Sequence, residues 1–263
     1  PERKPVVLGA PGHQMAARLA QQGFAFDALP HPGLDGVPLT WEKARQYNVI
    51  MLSGLGAANA DMTLAGHNRE TLATLRRFLE AGGGILFFPE FGQIVAHKPP
   101  QDEFLKPLGL TPLFDEQVFD SDSAMPDSAL YPMPYALAGQ VFPSPVTAGV
   151  KNLWYPVPTG RPGAQLHTIP FVADGSWTVA VKGAKSSHTK RGPLQEACTE
   201  PGSYASEVPL VAVREVGKGR IVYIASVIQY LYSSAAVHSL GSVALDKGLR
   251  GVPSDGSGWS RMP

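Results

Sequence analysis

Short apolar runs alternate with stretches of helical periodicity over the first 90 residues. Lys4–Gly9 (KPVVLG) and Asn48–Ser53 (NVIMLS) are continuous apolar runs, the pattern of strands buried on both faces. Phe24–Leu29 reads as a strand ended by Pro30 and Pro32, and Ile85–Phe88 as a fourth strand. Between them the pattern predicts helices near Gln14–Gln22, stopping at Gly23, and near Trp41–Tyr47, with Thr40 as cap. Asn68–Ala81 is the clearest helix: Leu72, Leu75, Phe78 and Leu79 share one face, and Gly82–Gly84 ends it. Strands alternating with helices argue for βαβ units and a parallel sheet.

The pattern changes after that. Pro99–Pro162 is rich in proline and poor in period, so it reads as an excursion that wraps the sheet or adds short strands. Trp177–Val181, after it, reads as a short extra strand. Pro209–Arg214 and Arg220–Ser226 flank Glu215–Gly219 (EVGKG), a hairpin signal. The expected fold is α/β: a mostly parallel open sheet with helices on both faces, flavodoxin-like or amidotransferase-like, carrying a proline-rich excursion. Residues 1–247 are expected to form one such domain. Residues 248–263 have the composition of a tail or linker, and a polypeptide that continues beyond them is expected.

Composition narrows the functional classes. The 263 residues are 44% hydrophobic and 17% charged, a globular balance. Lys+Arg and Asp+Glu are both 22, so net charge offers no pull toward nucleic acid. A lone Cys198 excludes an intrachain disulfide framework and leaves the redox compartment open. No apolar run reaches the roughly 18 residues of a membrane span. The chain opens on Pro1 with no signal-like segment, as a processed or trimmed end would. The compartment is unknown, with a lean toward the periplasm or extracellular space.

Several stretches together carry a resemblance: NVIMLSG at Asn48–Gly54, FLEAGGGILFFPE at Phe78–Glu90, SPVTAGVKNLWYPV at Ser144–Val157 and PLVAVREVGKGRIVYIAS at Pro209–Ser226. In this order they resemble the class I glutamine amidotransferase-like superfamily. The branch is the non-amidotransferase one, with trehalose-utilisation-like proteins and the trimerisation domains of some bacterial β-galactosidases. The resemblance implies a sharp elbow after the fourth strand, where active amidotransferases present a cysteine activated by a later His-Glu pair. The chemistry needs a thiolate beside a base and near backbone N–H donors. Here the matching elbow is Phe88-Pro89-Glu90-Phe91-Gly92-Gln93, with Glu90 at the cysteine position. Cys198 lies far along the chain, and no His-x-Glu follows the C-terminal hairpin. Glutaminase chemistry is therefore not expected.

Glu90 is the candidate acid or base, since strand C-termini of open α/β sheets face the ligand crevice. The alternative is a carboxyl tied up by backbone N–H groups or a basic side chain. His13 is its candidate partner. Gly12, Ser53, Gln93 and Trp154 are candidate ligand contacts. The turn Gly9–His13 precedes a helix and suits an anion or is simply tight. Trp154-Tyr155 suits a sugar ring or a core. Asp115, Glu116, Asp120, Asp122 and Asp127 read as a solvated acidic loop rather than a calcium site. Lys182, Lys185, His188, Lys190 and Arg191 read as a solvated basic run. The seven histidines show no metal-binding spacing, so neither a metal nor a cofactor is expected. Two functions follow. One is a non-catalytic domain of a larger bacterial protein, serving assembly or support of a carbohydrate-active partner, as a homo-oligomer or against a neighbouring domain. The other is a hydrolase or isomerase on a sugar-like substrate, with Glu90 as acid/base.

Overall fold

The computed structural model describes residues 4–8, 27–29, 36–90, 95–120, 122, 135–150, 153–158, 168–192 and 198–226. The described strands are β1 (Lys4–Leu8), β2 (Asp27–Leu29), β3 (Tyr47–Ser53), β4 (Gly84–Phe88), β5 (Leu110–Pro112), β6 (Glu116–Phe119), β7 (Tyr135–Leu137) and β8 (Gln140–Val141). They continue with β9 (Trp154–Pro156), β10 (Phe171–Ala173), β11 (Thr178–Lys182), β12 (His188–Arg191), β13 (Glu200–Pro201), β14 (Pro209–Val216) and β15 (Gly219–Ile224). The described α-helices are α1 (Trp41–Ala44), α2 (Gly66–Glu80) and α3 (Lys98–Leu105).

Eight strands form the main sheet, in the order β2-β1-β3-β4-β15-β14-β11-β8. It is a mixed sheet. The pairings β1–β2, β1–β3, β3–β4 and β4–β15 are parallel. Those of β14–β15, β11–β14 and β8–β11 are antiparallel. The first four strands and the hairpin thus appear where the apolar pattern puts them. The hairpin and β11 add an antiparallel half to a sheet expected to be mostly parallel. A direct two-residue turn at Gly217 and Lys218 can only join antiparallel strands.

The chief core lies where α1, α2 and α3 meet β3, β4 and β15. Leu72, Leu75, Phe78 and Leu79 from α2 pack in one cluster with Ile50 and Leu52, Ile85 and Phe87, Ile221 and Tyr223, and Phe104 and Leu105. Alternate residues of β3, β4 and β15 enter this cluster, as strand period requires. All three described helices contribute to it. The helix expected over 14–22, and the tail after 248, lie outside the described residues. A second cluster joins Val118, Tyr155, Ala180, Val181, Val208 and Leu210.

Three local expectations need correction. The helix expected at Trp41–Tyr47 ends at Ala44, and Tyr47 already belongs to β3. Thr40 does cap it, its side chain accepting from the Lys43 N–H at 3.4 Å. The proline-rich stretch opens with α3, whose prolines occupy the first turn, where a missing N–H costs nothing. The acidic segment is solvated only in part: Glu116 begins β6 with 0% exposure and Asp120 is 3% exposed, whereas Asp115 and Asp122 are exposed and Asp127 lies outside the described residues.

Candidate functional site

β3 and β4 run parallel, with Ser53 paired to Phe88, so the segments after them emerge side by side. The chain after β3 turns at Gly54 and Gly56, and the chain after β4 runs through Pro89 to Glu90. The Gly54 N–H donates to the Phe88 carbonyl at 2.8 Å, which fastens the turn to the strand end. Glu90 reaches across to that turn. Its Oε2 accepts from the Gly56 N–H at 3.0 Å, and the residue has no exposed surface. A side chain on Gly54 could not coexist with this arrangement: a Cβ there would stand 1.9 Å from Glu90 Cγ.

The second wall comes from the segment leading into α3. His97 Nδ1 lies 3.3 Å from Glu90 Oε2. Gln101, one helical turn after His97, clamps both backbones. Its Oε1 accepts from the Glu90 N–H at 3.3 Å, and its Nε2 donates to the His97 carbonyl at 3.1 Å. Burial pushes the Glu90 carboxyl up to about 8, against the opposing pull of the Gly56 and Leu55 N–H groups. At neutral pH the group is held mostly in its acid form. Such a group can donate a proton, or it can act as a neutral hydrogen-bonding pin.

The sequence pattern does not single out His97 and Gln101 as partners of Glu90. The available signal was their i, i+4 spacing on one helical face just after the elbow. Of the other candidates, the backbone of Ser53 ends β3 beside Phe88 and that of Trp154 begins β9, paired with Leu137. Gly12, His13 and Gln93 lie outside the described residues.

Cys198 is buried near Asp115 and Glu116, and burial together with those carboxylates raises its thiol pKa. That is the reverse of what a nucleophilic cysteine needs. Three members of the basic run have partners within the chain, while Lys185 is exposed. Arg191 pairs with Glu116 at 2.7 Å, Lys182 with Glu207 at 3.8 Å, and the Lys190 ammonium sits 4.9 Å from the centre of the Phe119 ring. Tyr155 is a core residue whose hydroxyl donates to Asp120 at 2.8 Å. Among the described residues no three His, Cys, Asp or Glu side chains gather as a metal site, and no helix is long and apolar enough to cross a membrane.

No family model and no curated protein matches the chain. Solved structures do. The N-terminal domain of mmIFT52 is similar at a TM-score of 0.57 with 12% identity, covering 95% of this chain and 98% of that one. Cytoplasmic protein STM1381 from Salmonella typhimurium LT2 follows at 0.52 with 13% identity, covering 93% and 99%. Cytoplasmic protein STM3548 from Salmonella typhimurium matches at 0.50 with 14% identity, covering 92% and 98%. Identities this low establish a shared fold alone. The matches with TM-scores under 0.5 include a putative ThuA-like protein, a glutamine amidotransferase and β-galactosidases.

Proposed function

We propose that the chain is a non-catalytic amidotransferase-like domain of a larger bacterial protein, serving assembly or the support of a carbohydrate-active partner. In this reading the sheet carries helices on both faces. The carrying observation is the state of Glu90. At the strand end where the resemblance would put a nucleophile stands a carboxyl with 0% exposure, bound by backbone N–H groups and flanked by His97. A general acid must reach a substrate proton within about 3 Å, and a side chain sealed on the Gly54 turn is poorly placed for that. Met62 and Val95, 42% and 51% exposed, add support for association. Met62 lies in the segment between β3 and α2 and Val95 opens a one-turn 3-10 helix before α3; the two segments are joined through the Ala58 N–H and the Ala96 carbonyl at 2.7 Å. The carbohydrate element rests on the sequence resemblance.

One observation favours a second reading, a hydrolase or isomerase on a sugar-like substrate. A carboxyl raised to about 8 beside a histidine is a competent proton donor at neutral pH. In that reading His13 joins Glu90, and Gly12, Ser53, Gln93 and Trp154 contact the ligand. Light scattering on the purified chain, alone and with its neighbouring domain, tests the first reading: self-association or a stable complex is expected, and a monomer that binds neither contradicts it. Glu90→Gln separates the two. The support reading expects a change in stability or assembly alone; lost turnover of a glycoside at unchanged stability would establish the enzyme.

A further inference from the structure

The turn after β3 has the form of a receptor. Gly54 and Gly56 have φ of +68° and +75°, both in the left-handed region. Turns of this kind collect successive N–H groups on one concave side, where they hold acceptor oxygens such as those of a carboxyl group. Here the N–H groups of Leu55 and Gly56 both act on the Glu90 carboxyl. The bare Cα of Gly54 forms the wall against which the side chain lies.

The turn is also fastened by bonds that do not involve the Glu90 carboxyl. Gly54 N–H donates to the Phe88 carbonyl, Ala58 N–H to the Ala96 carbonyl, and the Asn68 side-chain amide to the Ala57 carbonyl at 3.0 Å. Its shape therefore should outlast the loss of its present occupant. We propose that Gly54–Leu55–Gly56 is a carboxyl-binding seat that the chain fills with its own Glu90, and that it takes a small free monocarboxylate once that side chain is cut back. The match of ligand to seat follows from covalent structure. Glu90→Ala removes one methylene and the carboxyl group, the heavy atoms of acetate. Formate leaves part of that space empty, and butyrate overfills it. The seat exists whether or not the domain is catalytic, so its test and the assembly test fail separately.

The experiment is thermal unfolding of Glu90→Ala and the wild-type chain in sodium acetate or sodium chloride at matched ionic strength and about pH 5, where a good part of the acetate is the neutral acid that this buried seat favours. The seat predicts a saturable rise for the variant, about 3–6 °C at acetate concentrations well above Kd. Formate and butyrate should give less, and the wild-type chain no acetate-specific rise. If Glu90→Ala does not fold in chloride, refolding yield from denaturant replaces the melting temperature, and acetate should raise it severalfold over chloride. Equal behaviour of the variant in acetate and chloride, or an equal acetate effect on both chains, would overturn the proposal.

Discussion

Glu90 and Glu116 both have 0% exposure, and their surroundings drive them in opposite directions. Glu90 sits at the end of a central strand in the chief core. Burial raises it, against the pull of the Gly56 and Leu55 N–H groups. Glu116 sits on β6 in the small sheet β13-β12-β6. Burial raises it too, but the Ser203 hydroxyl and N–H, Thr189 and Arg191 together outweigh burial and bring it below the usual carboxylate range. The Ser203 hydroxyl donates at 2.6 Å, its N–H at 2.9 Å and the Arg191 guanidinium at 2.7 Å. Arg191 is itself about half exposed, so the charge pair is linked to solvent. The lesson is that burial alone does not decide the charge of a carboxyl; the number and charge of its donors do. One glutamate is an ionic clasp between strands, the other a neutral pin between two strand ends.

The largest effect should come from removing the space that Glu90 occupies. Gly54→Ala places a methyl group on the carboxyl side chain and forces a left-handed φ on alanine. Loss of about 3–5 kcal/mol in denaturant unfolding is expected. A loss under about 1 kcal/mol would mean that Glu90 does not pack on the turn. Next comes the clamp. Gln101→Leu leaves the Glu90 N–H and the His97 carbonyl without their side-chain partner, at a cost of about 1–3 kcal/mol. Smallest is Ser203→Ala, which removes one of several donors to Glu116, at about 1 kcal/mol near neutral pH. Because the folded pKa of Glu116 is depressed, its stabilisation is present above about pH 4.5 and fades as pH falls through the folded value. Ser203→Ala raises that folded value, so the variant should lose less stability on acidification than the wild-type chain. An unchanged acid profile would show that the hydroxyl does not hold the charge.

Much of the scaffold is legible in the sequence, for physical reasons. Buried parallel strands are continuous apolar runs, and the hairpin is written in the glycines of EVGKG. α3 is hidden in the sequence because Pro99 and Pro100 open a proline-rich stretch with little period, although prolines are tolerated in a first helical turn. The expected helix at Trp41 runs too far because Tyr47 continues the apolar pattern, yet Tyr47 belongs to the core through β3. Of the site, the position of Glu90 is legible from the elbow. Its environment is not, since the Gly56 N–H lies 34 positions away and no side chain there announces a donor. The same blindness made Glu116 and Arg191 look like separate solvated charges, although they meet across 75 positions.

The most direct test of a neutral, buried Glu90 is the unfolding free energy of the wild-type chain minus that of Glu90→Gln from pH 5 to pH 9. A carboxyl near 4.5 when unfolded and about 8 when folded binds more protons in the folded state across that interval. Wild-type stability should therefore fall relative to the variant as pH rises, by a few kcal/mol in total, and level off above about pH 8. A difference that stays flat from pH 5 to pH 9 would mean a carboxylate charged throughout, and would contradict the neutral pin.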